Sequence, residues 1–564
     1  MADEKDFKDV EAPQSTQHKE GIAEEFDEVA DQKLSNRTEA AMDAEIAELE
    51  EQLPSLRKPR TEIEVVFTNP AYFTWVLVAF ASMGGMLSGL DQSLISGANL
   101  YLPDALHLNS GQASLVDSGM PLGAVAGALI LSPSNGYLGR RMSIIVSCIL
   151  YTIGAGLEAG AINFGMIFAG RFILGMGVGL EGGTVPVYVA ECGKFFLAMA
   201  YDQSSNINLT PNPSSRKLRG NLVSLYQLNI ALGEVLGYAV AAIFLDVAGN
   251  WRYILGSSLV FSTILLGREV AAYSVWKKIR GFNDFESKDE FLGMRQAVTA
   301  EREEQALTKK YAWMDFFTVP RARRAIVYAN IMIFLGQFTG VNAIMYYMST
   351  LMGAIGFDQR TSVFMSLVGG GSLLLGCIPA VLYMERFGRR YWANTMLPGF
   401  FIGLVLVGAG YTIDYTKYPA AAEGLYLTGI IMYMGFFGSY ACLTWVIPSE
   451  VFPTYLRHYG MTTADANLFL CSFIVTYNFT RMRDTMTSTG LTLGFYGGIA
   501  VLGWFYQIIF MPETKNMSLE EIDELFAQPT SVIVKKNMKQ TAEVIRDLSH
   551  FRFKKVFSPE PYTR

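Results

Sequence analysis

Long apolar runs recur along most of this chain, and they restrict its fold more than any other feature. A segment that crosses a bilayer finds no water for its backbone amides, so it must pair them internally as a helix. Twelve runs have a suitable length and composition. They cover residues 73–98, 112–133, 142–161, 164–188, 220–246, 251–267, 325–353, 361–383, 391–413, 423–447, 460–480 and 487–511. The sequence therefore predicts an all-α membrane protein with twelve transmembrane helices, numbered here as spans 1 to 12.

The polar segments predict the domain organisation. Residues 69–267 and 325–511 each hold six spans, and the charged segment 268–324, with helical charge patterning, links them on the cytoplasmic side. Residues 1–68 are acidic and poor in large apolar side chains, which predicts a disordered tail. Residues 512–564 form a second polar tail. Much of the acidic excess lies in the first tail, so no nucleic-acid partner is implied.

Lysine and arginine fall in alternate loops, and this asymmetry predicts the orientation. Basic residues occur at 140–141, 216–219, 389–390 and 457 and in the linker, whereas opposite loops such as 99–111 are nearly free of them. Cytoplasmic loops of membrane proteins carry an excess of Lys and Arg. We therefore expect these loops and both termini to face the cytoplasm.

The same loop and span-end motifs occur twice, six spans apart. Gly136–Arg141 follows span 2 and Glu385–Arg390 follows span 8, each ending in Gly-Arg-Arg. Pro186–Glu191 ends span 4, and Pro448–Pro453 ends span 10. Such a repeat predicts two homologous six-helix halves. In transporters built this way, the halves rock about a site between them near the membrane midplane.

Span 7 holds polar side chains where lipid offers them no partners. Gly336 and Gly340 loosen the helix there, and Asn342 and Tyr346, four residues apart, share a face. The polar residues of this segment include Gln337, Asn342, Tyr346 and Tyr347. Their grouping beside two glycines favours recognition of a small polar ligand through its hydroxyl groups. A contact between helices is the alternative, above all for a lone Asn.

Span 1 contains an acid and span 4 a base at the same predicted depth. Asp91 and Arg171 each lie seven residues from the outer end of their span, which at 1.5 Å per residue is about 10 Å. They can therefore meet inside the membrane. Because a desolvated carboxylate without its partner must be neutralised, the pair suggests a proton relay. A static ion pair that holds the helices together is the alternative.

From about residue 73 to residue 526 the chain resembles the sugar porters of the major facilitator superfamily, and fungal members in particular. The motifs that support the resemblance are the two Gly-Arg-Arg loops, Gly170–Arg171, Pro186–Glu191, Gln337–Asn342, Pro448–Arg457 and Pro512–Lys515. The resemblance implies the major facilitator fold and alternating-access transport of a sugar or polyol. The plasma membrane is the usual location of the family, and we expect a monomer.

In the family, cytoplasmic arginines and acids form salt bridges that hold the inner side closed. The resemblance gives this role to Arg140, Arg141, Glu191, Arg219, Glu385, Arg389, Arg390, Glu450 and Arg457. For any single arginine, an anchor at the membrane surface is the alternative.

The resemblance places further residues at the substrate cavity. Gln227 and Glu234 are seven residues apart on one face of span 5, and both positions line the cavity in the family. Glu234 could accept substrate hydroxyls or bind a second proton; an ion pair with Arg171 is the alternative. Trp445 matches an aromatic residue that stacks against the sugar ring, with packing or an interfacial position as alternatives. Asn467 falls next to a position in span 11 that often contacts substrate.

Three departures from the family pattern predict poor folding or weak transport. Gly136 replaces an acid in the loop after span 2. Residues 193–214 form an insert, first apolar and then rich in Ser, Asn and Pro, which predicts an unstructured cytoplasmic loop. The Pro-Glu-Ser-Pro-Arg signature after span 6 is missing, which leaves that span near the lower limit for crossing. An insert in one loop and a loss in the next suggest errors in exon assignment.

The leading function is therefore proton-coupled symport of a sugar or polyol, with an uncoupled facilitator as the alternative. The short second tail disfavours a nutrient sensor. The sequence contains no evident nucleophile–base pair, phosphate loop or Cys/His metal spacing, so we expect neither an enzyme nor a cofactor or metal. The partners are then the substrate, protons and the lipid bilayer. We expect the five cysteines to be packing residues: Cys148, Cys192, Cys377, Cys442 and Cys471.

Overall fold

The computed structural model describes residues 70–138, 140–202, 214–263, 312–515, 517 and 519–552. Within these ranges the side chains of 70–82, 136, 140–141, 187–202, 214–222, 312, 454 and 519–520 are not described. All described residues belong to one compact unit, residues 66–269 and 311–564. The other unit, residues 1–65 and 270–310, lies outside the described residues. The first tail and most of the linker predicted from the sequence are therefore outside them too.

The first half consists of long helices joined by short loops. Span 1 is Pro70–Ala98, span 2 Ser110–Tyr137, span 3 Arg140–Ala159, span 4 Phe164–Asp202 and span 5 Ser214–Ile243. Of span 6, residues 250–263 are described, and they are helical. A short helix, Leu102–Ala105, lies between spans 1 and 2. Asn109 begins span 2 with a reciprocal cap, because its Oδ1 accepts from the amide of Gln112 at 2.8 Å.

The second half repeats this arrangement with one broken helix. Span 7 is divided into Pro320–Gln337, Val341–Tyr346 and Met348–Ala354. Span 8 is Gln359–Phe387, span 9 Arg389–Gly410, span 10 Pro419–Val451 and span 11 Arg457–Thr485. Span 12 begins as the π-helix Gly490–Gly497 and continues as the α-helix Gly498–Phe510. Short helical turns cover Ala312–Met314, Asp315–Thr318 and Thr454–Leu456.

Every regular element among the described residues is helical, and nine of these helices are long and apolar enough to cross a membrane. The observed bounds agree with most of the predicted runs to within a few residues. Together they confirm the predicted all-α membrane fold. Span 11 is not among the nine, although its helix has 29 residues, because many of its side chains are polar.

The insert is the clearest difference from the prediction. Residues 193–202, predicted to start an unstructured loop, instead continue the helix of span 4 as far as Asp202. Their first part is rich in Phe, Leu, Ala and Met, residues that extend a helix readily. Residues 203–213, with the Asn, Pro and Ser, lie outside the described residues, as do 264–267 at the end of span 6.

Small residues allow the helices of the first half to pack closely. A methyl group on Gly179 of span 4 would overlap the carbonyl oxygen of Ala124 in span 2, and one on Gly89 of span 1 would overlap that of Ile230 in span 5. Between the halves, span 2 packs on span 11 and span 5 on span 8. The two halves therefore enclose a space bounded by helices from both.

The second tail contains two helices where the sequence indicated only a polar segment. They are Leu519–Ala527 and Thr530–Ser549. Arg324 donates to the carbonyl oxygens of Phe526 and Ala527 at the end of the first tail helix, at 2.9 and 2.8 Å. These bonds tie the first tail helix to the beginning of span 7.

The second tail helix is tied to the end of span 12. The side-chain amide of Asn537 donates to the carbonyl oxygens of Ile509 and Met511, at 2.8 and 3.0 Å. Those carbonyls belong to the last turn of the span and have no partner within the helix. The second tail helix thus supplies the C-terminal cap of span 12.

Candidate functional site

A cavity of about 60 Å³ lies between the two halves, bounded by spans 1, 5, 7, 10 and 11. Its polar walls are formed by side chains including Gln92, Gln227, Glu234, Gln337, Asn342 and Trp445. Ile230, Val341 and Phe437 contribute apolar surface. Since one water already needs about 10–15 Å³ of such space, a ring with several hydroxyl groups requires the lining helices to move apart. The cavity thus combines hydrogen-bonding side chains with apolar surface in a space that holds only a few water molecules.

The break in span 7 brings two amides together at the cavity wall. Gly340 has φ +92°, which favours glycine, and the helix stops at Gln337 and restarts at Val341. The Asn342 amide donates to Oε1 of Gln337 at 2.6 Å across this break. The sequence predicted that the glycines would loosen the helix here, and the structure confirms it.

Trp445 and Gln227 connect the halves across the cavity. The indole Nε1 of Trp445 donates to Oε1 of Gln227 at 2.8 Å. The edge of one ring meets the face of the other between Trp445 and Tyr226, with centroids 4.9 Å apart and planes at 87°. Trp445 therefore offers the cavity an apolar ring together with a hydrogen-bond donor.

Glu234 is fully buried, and neither carboxylate oxygen has a hydrogen-bond partner among the described residues. It does not pair with Arg171, whose ion-pair partners in the described part of the chain are Asp91 and Glu158. A buried carboxylate without a partner is costly unless a ligand or a proton satisfies it. The structure therefore does not support the ion pair between Glu234 and Arg171. The two other expected roles, acceptance of substrate hydroxyls and binding of a second proton, stay open.

Asp91 and Arg171 meet inside the first half, as their equal depth predicts. Nη1 of Arg171 lies 2.9 Å from Oδ1 of Asp91, and both side chains are buried. Nε of Arg171 also donates to the carbonyl oxygen of Val116 in span 2, at 3.0 Å. Spans 1, 2 and 4 are therefore joined at a single guanidinium group.

Sequence reasoning missed a second acid at this arginine. Oε1 of Glu158 in span 3 lies 3.8 Å from Nη1 of Arg171, and Glu158 is only 1% exposed. Three further groups missed in the same way are Asp117, Glu181 and Asp465, all nearly fully buried. Each is an acid inside an apolar run, and that signal alone would have singled them out.

Tyr346 and Tyr347, predicted to bind substrate, lie outside the cavity wall. The hydroxyl of Tyr346 approaches Sδ of Met120 in span 2 at 3.5 Å, and Tyr347 stacks on Phe479 of span 11 with centroids 4.9 Å apart. In this structure both rings contact other spans instead of lining the cavity, so their role in substrate binding stays a prediction. Tyr346 thus contacts the first half, and the ring of Tyr347 stacks within the second half.

Asn467 is not part of the cavity wall either. Its side-chain amide donates to the carbonyl oxygen of Asn330 in span 7, at 2.9 Å. The following residues, Leu468 and Phe469, line the cavity instead. One residue corresponds to about 100° of helix rotation, so a shift of one position moves a side chain to another face.

Arg389 is the centre of a salt-bridge cluster at the end of span 8. Its guanidinium group lies 2.6 Å from Glu385 and 2.7 Å from Glu450, and all three side chains are buried. The hydroxyl of Thr514 donates to the same Glu450 at 2.9 Å. The cluster connects spans 8, 9 and 10 with the segment after span 12, in agreement with the contacts predicted for this half.

The guanidinium group of Arg390 differs from that expectation, because its acceptors among the described residues lie on the second tail helix and at Ile508 of span 12, whereas its backbone amide donates to Glu513 at 3.1 Å. Its acceptors include Oε1 of Gln540 at 2.9 Å and the carbonyl oxygen of Asn537 at 3.1 Å. Arg457 begins span 11 at the same end of the bundle. The side chains of the four predicted partners in the first half lie outside the described residues: Arg140, Arg141, Glu191 and Arg219.

Comparison with known proteins places this arrangement in a family. The family described as "Sugar (and other) transporter" matches residues 77–526. The myo-inositol transporter FST1 of Gibberella moniliformis is 60% identical over 519 residues, which cover 89% of this chain and 87% of that protein. Myo-inositol transporter 1 of Cryptococcus neoformans var. grubii is 27% identical, with 81% and 82% covered.

A solved structure has the same fold. The proton:xylose symporter XylE, bound to 6-bromo-6-deoxy-D-glucose, has a TM-score of 0.64 and 22% identity, covering 81% of this chain and 99% of that one. The chain belongs to the sugar transporter family and is a membrane transporter, not an enzyme.

Proposed function

We propose that this protein takes up myo-inositol, or a closely related cyclic polyol, together with a proton. The main observation is a cavity between the halves whose wall combines amides, one unpartnered carboxylate and an indole. The relative that is 60% identical bears the name of a myo-inositol transporter, which supports this choice of substrate. A substrate with hydroxyl groups all round its ring matches such a wall.

The chemistry of the cavity suits a polyol better than a charged or apolar solute. Each hydroxyl group donates one hydrogen bond and accepts others, and the Gln337 and Asn342 amides offer both kinds of partner. The Glu234 carboxylate accepts two hydroxyl donors, in charge-assisted bonds about twice as strong as neutral ones. Trp445 covers the apolar C–H face of the ring. Substrate binding would then satisfy Glu234 while it excludes water.

Proton coupling follows from the pair inside the first half. Protonation of Asp91 removes the charge that holds Arg171, which then turns towards Glu158, 3.8 Å away, or changes its contact with span 2. Because Arg171 joins spans 1, 2 and 4, a change of its partner changes how these helices pack. Protonation at this site is thereby linked to the movement of the halves.

The Arg389 cluster holds one side of the second half closed in this cycle. We place this side in the cytoplasm, because the loops rich in Lys and Arg lie there. Both tails are then cytoplasmic, the plasma membrane is the location, and the monomer is the transporting unit.

An uncoupled facilitator for the same substrate is the second candidate. One observation favours it: Arg171 has three acceptors within reach, Asp91, Glu158 and the Val116 carbonyl oxygen. Removing one partner of a buried ion pair is costly, so an arginine held by that many groups favours a static arrangement of its helices. The two candidates differ in whether proton movement accompanies uptake.

The test is uptake of labelled myo-inositol, xylose, glucose and galactose by yeast that lacks its own transporters, with external pH recorded. The proposal predicts myo-inositol uptake that raises external pH in step with substrate entry. Uptake without a pH change would support the facilitator. Uptake of hexoses but not of inositol, by protein that reaches the cell surface, would refute the proposed substrate.

A further inference from the structure

Asp465 of span 11 is a buried acid that the transport scheme above does not use. Its side chain is 2% exposed, and neither carboxylate oxygen has a hydrogen-bond or ion-pair partner among the described residues. Span 11 belongs to the second half, but the carboxylate faces the first half. Its Oδ1 lies 2.6 Å from the point that a Cβ on Gly182 of span 4 would occupy.

A second acid lies directly beside this contact. Glu181 precedes Gly182 in span 4, is 4% exposed, and packs so closely on Gly84 of span 1 that any side chain there would displace it. Glycines at 84 and 182 thus leave room for two carboxyl groups where the halves touch. The space is occupied by acids and not by apolar side chains, although the surrounding helices are apolar.

No positive charge that would compensate that of Asp465 is found beside it among the side chains that the structure describes. Among the described residues, the titratable groups that interact with it electrostatically are Glu181 of span 4 and Tyr226 of span 5. Burial of an ionised carboxylate beside a like charge, with no hydrogen bond, is unfavourable. A single proton on the carboxyl oxygen removes the charge, so close contact of spans 4 and 11 requires that proton.

The pair is near the cavity but separate from the Asp91–Arg171 site. Tyr226 interacts with both acids, lines the cavity and packs on Trp445. Asp91 and Arg171, in contrast, are paired with each other inside the first half. When the halves separate at spans 4 and 11, water reaches Asp465, and hydration then stabilises its ionised form.

We propose that Asp465, beside Glu181, is a second proton-binding site, located on the contact between the halves. The carboxylate takes a proton from water on that side as spans 4 and 11 close, forming an O–H bond, and returns it to water as they open. Closure is therefore favoured at low pH and opening at high pH. One coupled proton changes the ratio of closed to open protein by up to about tenfold per pH unit. This inference depends on the movement of the halves and not on the identity of the substrate.

The test measures closure without substrate. Hydrogen exchange of the peptides around residues 182 and 465 is followed by mass spectrometry in lipid nanodiscs between about pH 5 and about pH 8, after correction for the intrinsic pH dependence of exchange. In the unmodified protein, exchange increases with pH as the contact opens. In Asp465→Asn, a neutral side chain of the same shape, the increase becomes markedly smaller. Asp484→Asn, at the exposed end of the same helix, keeps it.

Two further variants distinguish this site from its neighbours. Glu181→Gln removes the negative charge beside Asp465. Burial of ionised Asp465 then costs less free energy when spans 4 and 11 close, so exchange should depend less on pH. Asp91→Asn removes the contribution of the first proton site and retains the part of the response that Asp465 supplies. An unchanged response in folded Asp465→Asn would overturn the proposal, and so would a complete loss of the response in Asp91→Asn. If Asp465→Asn does not fold, Glu181→Gln provides the test. An increase of exchange with pH as large as in the unmodified protein would then refute the site.

Discussion

The indole Nε1 of Trp445 lies 2.8 Å from Oε1 of Gln227, and this bond joins span 10 of one half to span 5 of the other across the cavity. A substrate that binds between the halves must replace the bond or lie against it. The hydrogen-bonding and the apolar parts of Trp445 can be separated by substitution, which gives the first prediction.

Trp445→Phe keeps an aromatic face but removes the hydrogen-bond donor, so uptake should persist. We expect the KM to rise about threefold to tenfold, which corresponds to the free energy of one hydrogen bond. Trp445→Ala removes the ring as well and should reduce kcat/KM much further. Initial rates of labelled myo-inositol uptake, normalised to surface expression, provide the measurement. Trp313→Phe, at a half-exposed tryptophan, is the matched control. Equal losses in the Phe and Ala variants would show that the ring face does not contribute.

Glu234→Gln should change stability and binding in opposite directions. Removal of a buried charge without a partner stabilises the substrate-free protein, so its Tm should rise. Loss of charge-assisted bonds to hydroxyl groups should raise the KM for inositol about tenfold or more. Thermal unfolding in detergent and uptake kinetics measure the two effects. Glu524→Gln, on the surface of the first tail helix, should change neither. A lower Tm in Glu234→Gln would mean that the carboxylate has a stabilising partner.

Asp91→Asn should separate transport from proton movement. The amide still accepts a hydrogen bond from Arg171, but it cannot take up a proton in the transport cycle. Concentrative uptake and the associated rise in external pH should disappear, whereas exchange of labelled for unlabelled substrate continues. Asp414→Asn, in the exposed loop after span 9, serves as the control. Accumulation against a gradient by Asp91→Asn would assign coupling to another group.

The sequence was sufficient for those features that depend on one helix at a time. Hydropathy located the spans, and the depth of Asp91 and Arg171 along their own helices predicted their contact. The glycines of span 7 predicted the break that exposes Gln337 and Asn342 to the cavity. Each of these inferences uses only helix geometry and the cost of burying polar groups in lipid.

Features that depend on the rotation of one helix against another were not predicted. Asn467 and Leu468 differ by one position, yet only Leu468 lines the cavity. Tyr347 stacks on Phe479 of span 11 and does not line the cavity, which no periodic pattern reveals. The contact of Asp465 with Gly182 joins residues far apart in the chain and in different halves, so only the packed structure brings it to light.

Asn537→Ala should loosen the second tail helix. It removes the two bonds to the carbonyl oxygens of Ile509 and Met511 that cap span 12. Loss of two partly buried hydrogen bonds lowers the free energy of unfolding by about 1–3 kcal/mol. Thermal unfolding should show a lower Tm, and uptake kinetics should show little change in the KM for substrate. Lys539→Ala, on the exposed face of the same helix, should have no effect. A large rise in KM with unchanged Tm would instead connect this helix to the cavity.

Gly340→Ala should damage the break in span 7 for two reasons. A residue with a Cβ at φ +92° is strained by about 1 kcal/mol or more. The added methyl group would also lie 2.7 Å from Cδ2 of Tyr496, whose ring must then move. We expect a lower Tm and slower uptake, measured by thermal unfolding and by initial rates at saturating substrate. Gly371→Ala, with open space around it in span 8, should be neutral. Full activity and an unchanged Tm in Gly340→Ala would show that span 7 does not need the left-handed turn that places Gln337 beside Asn342.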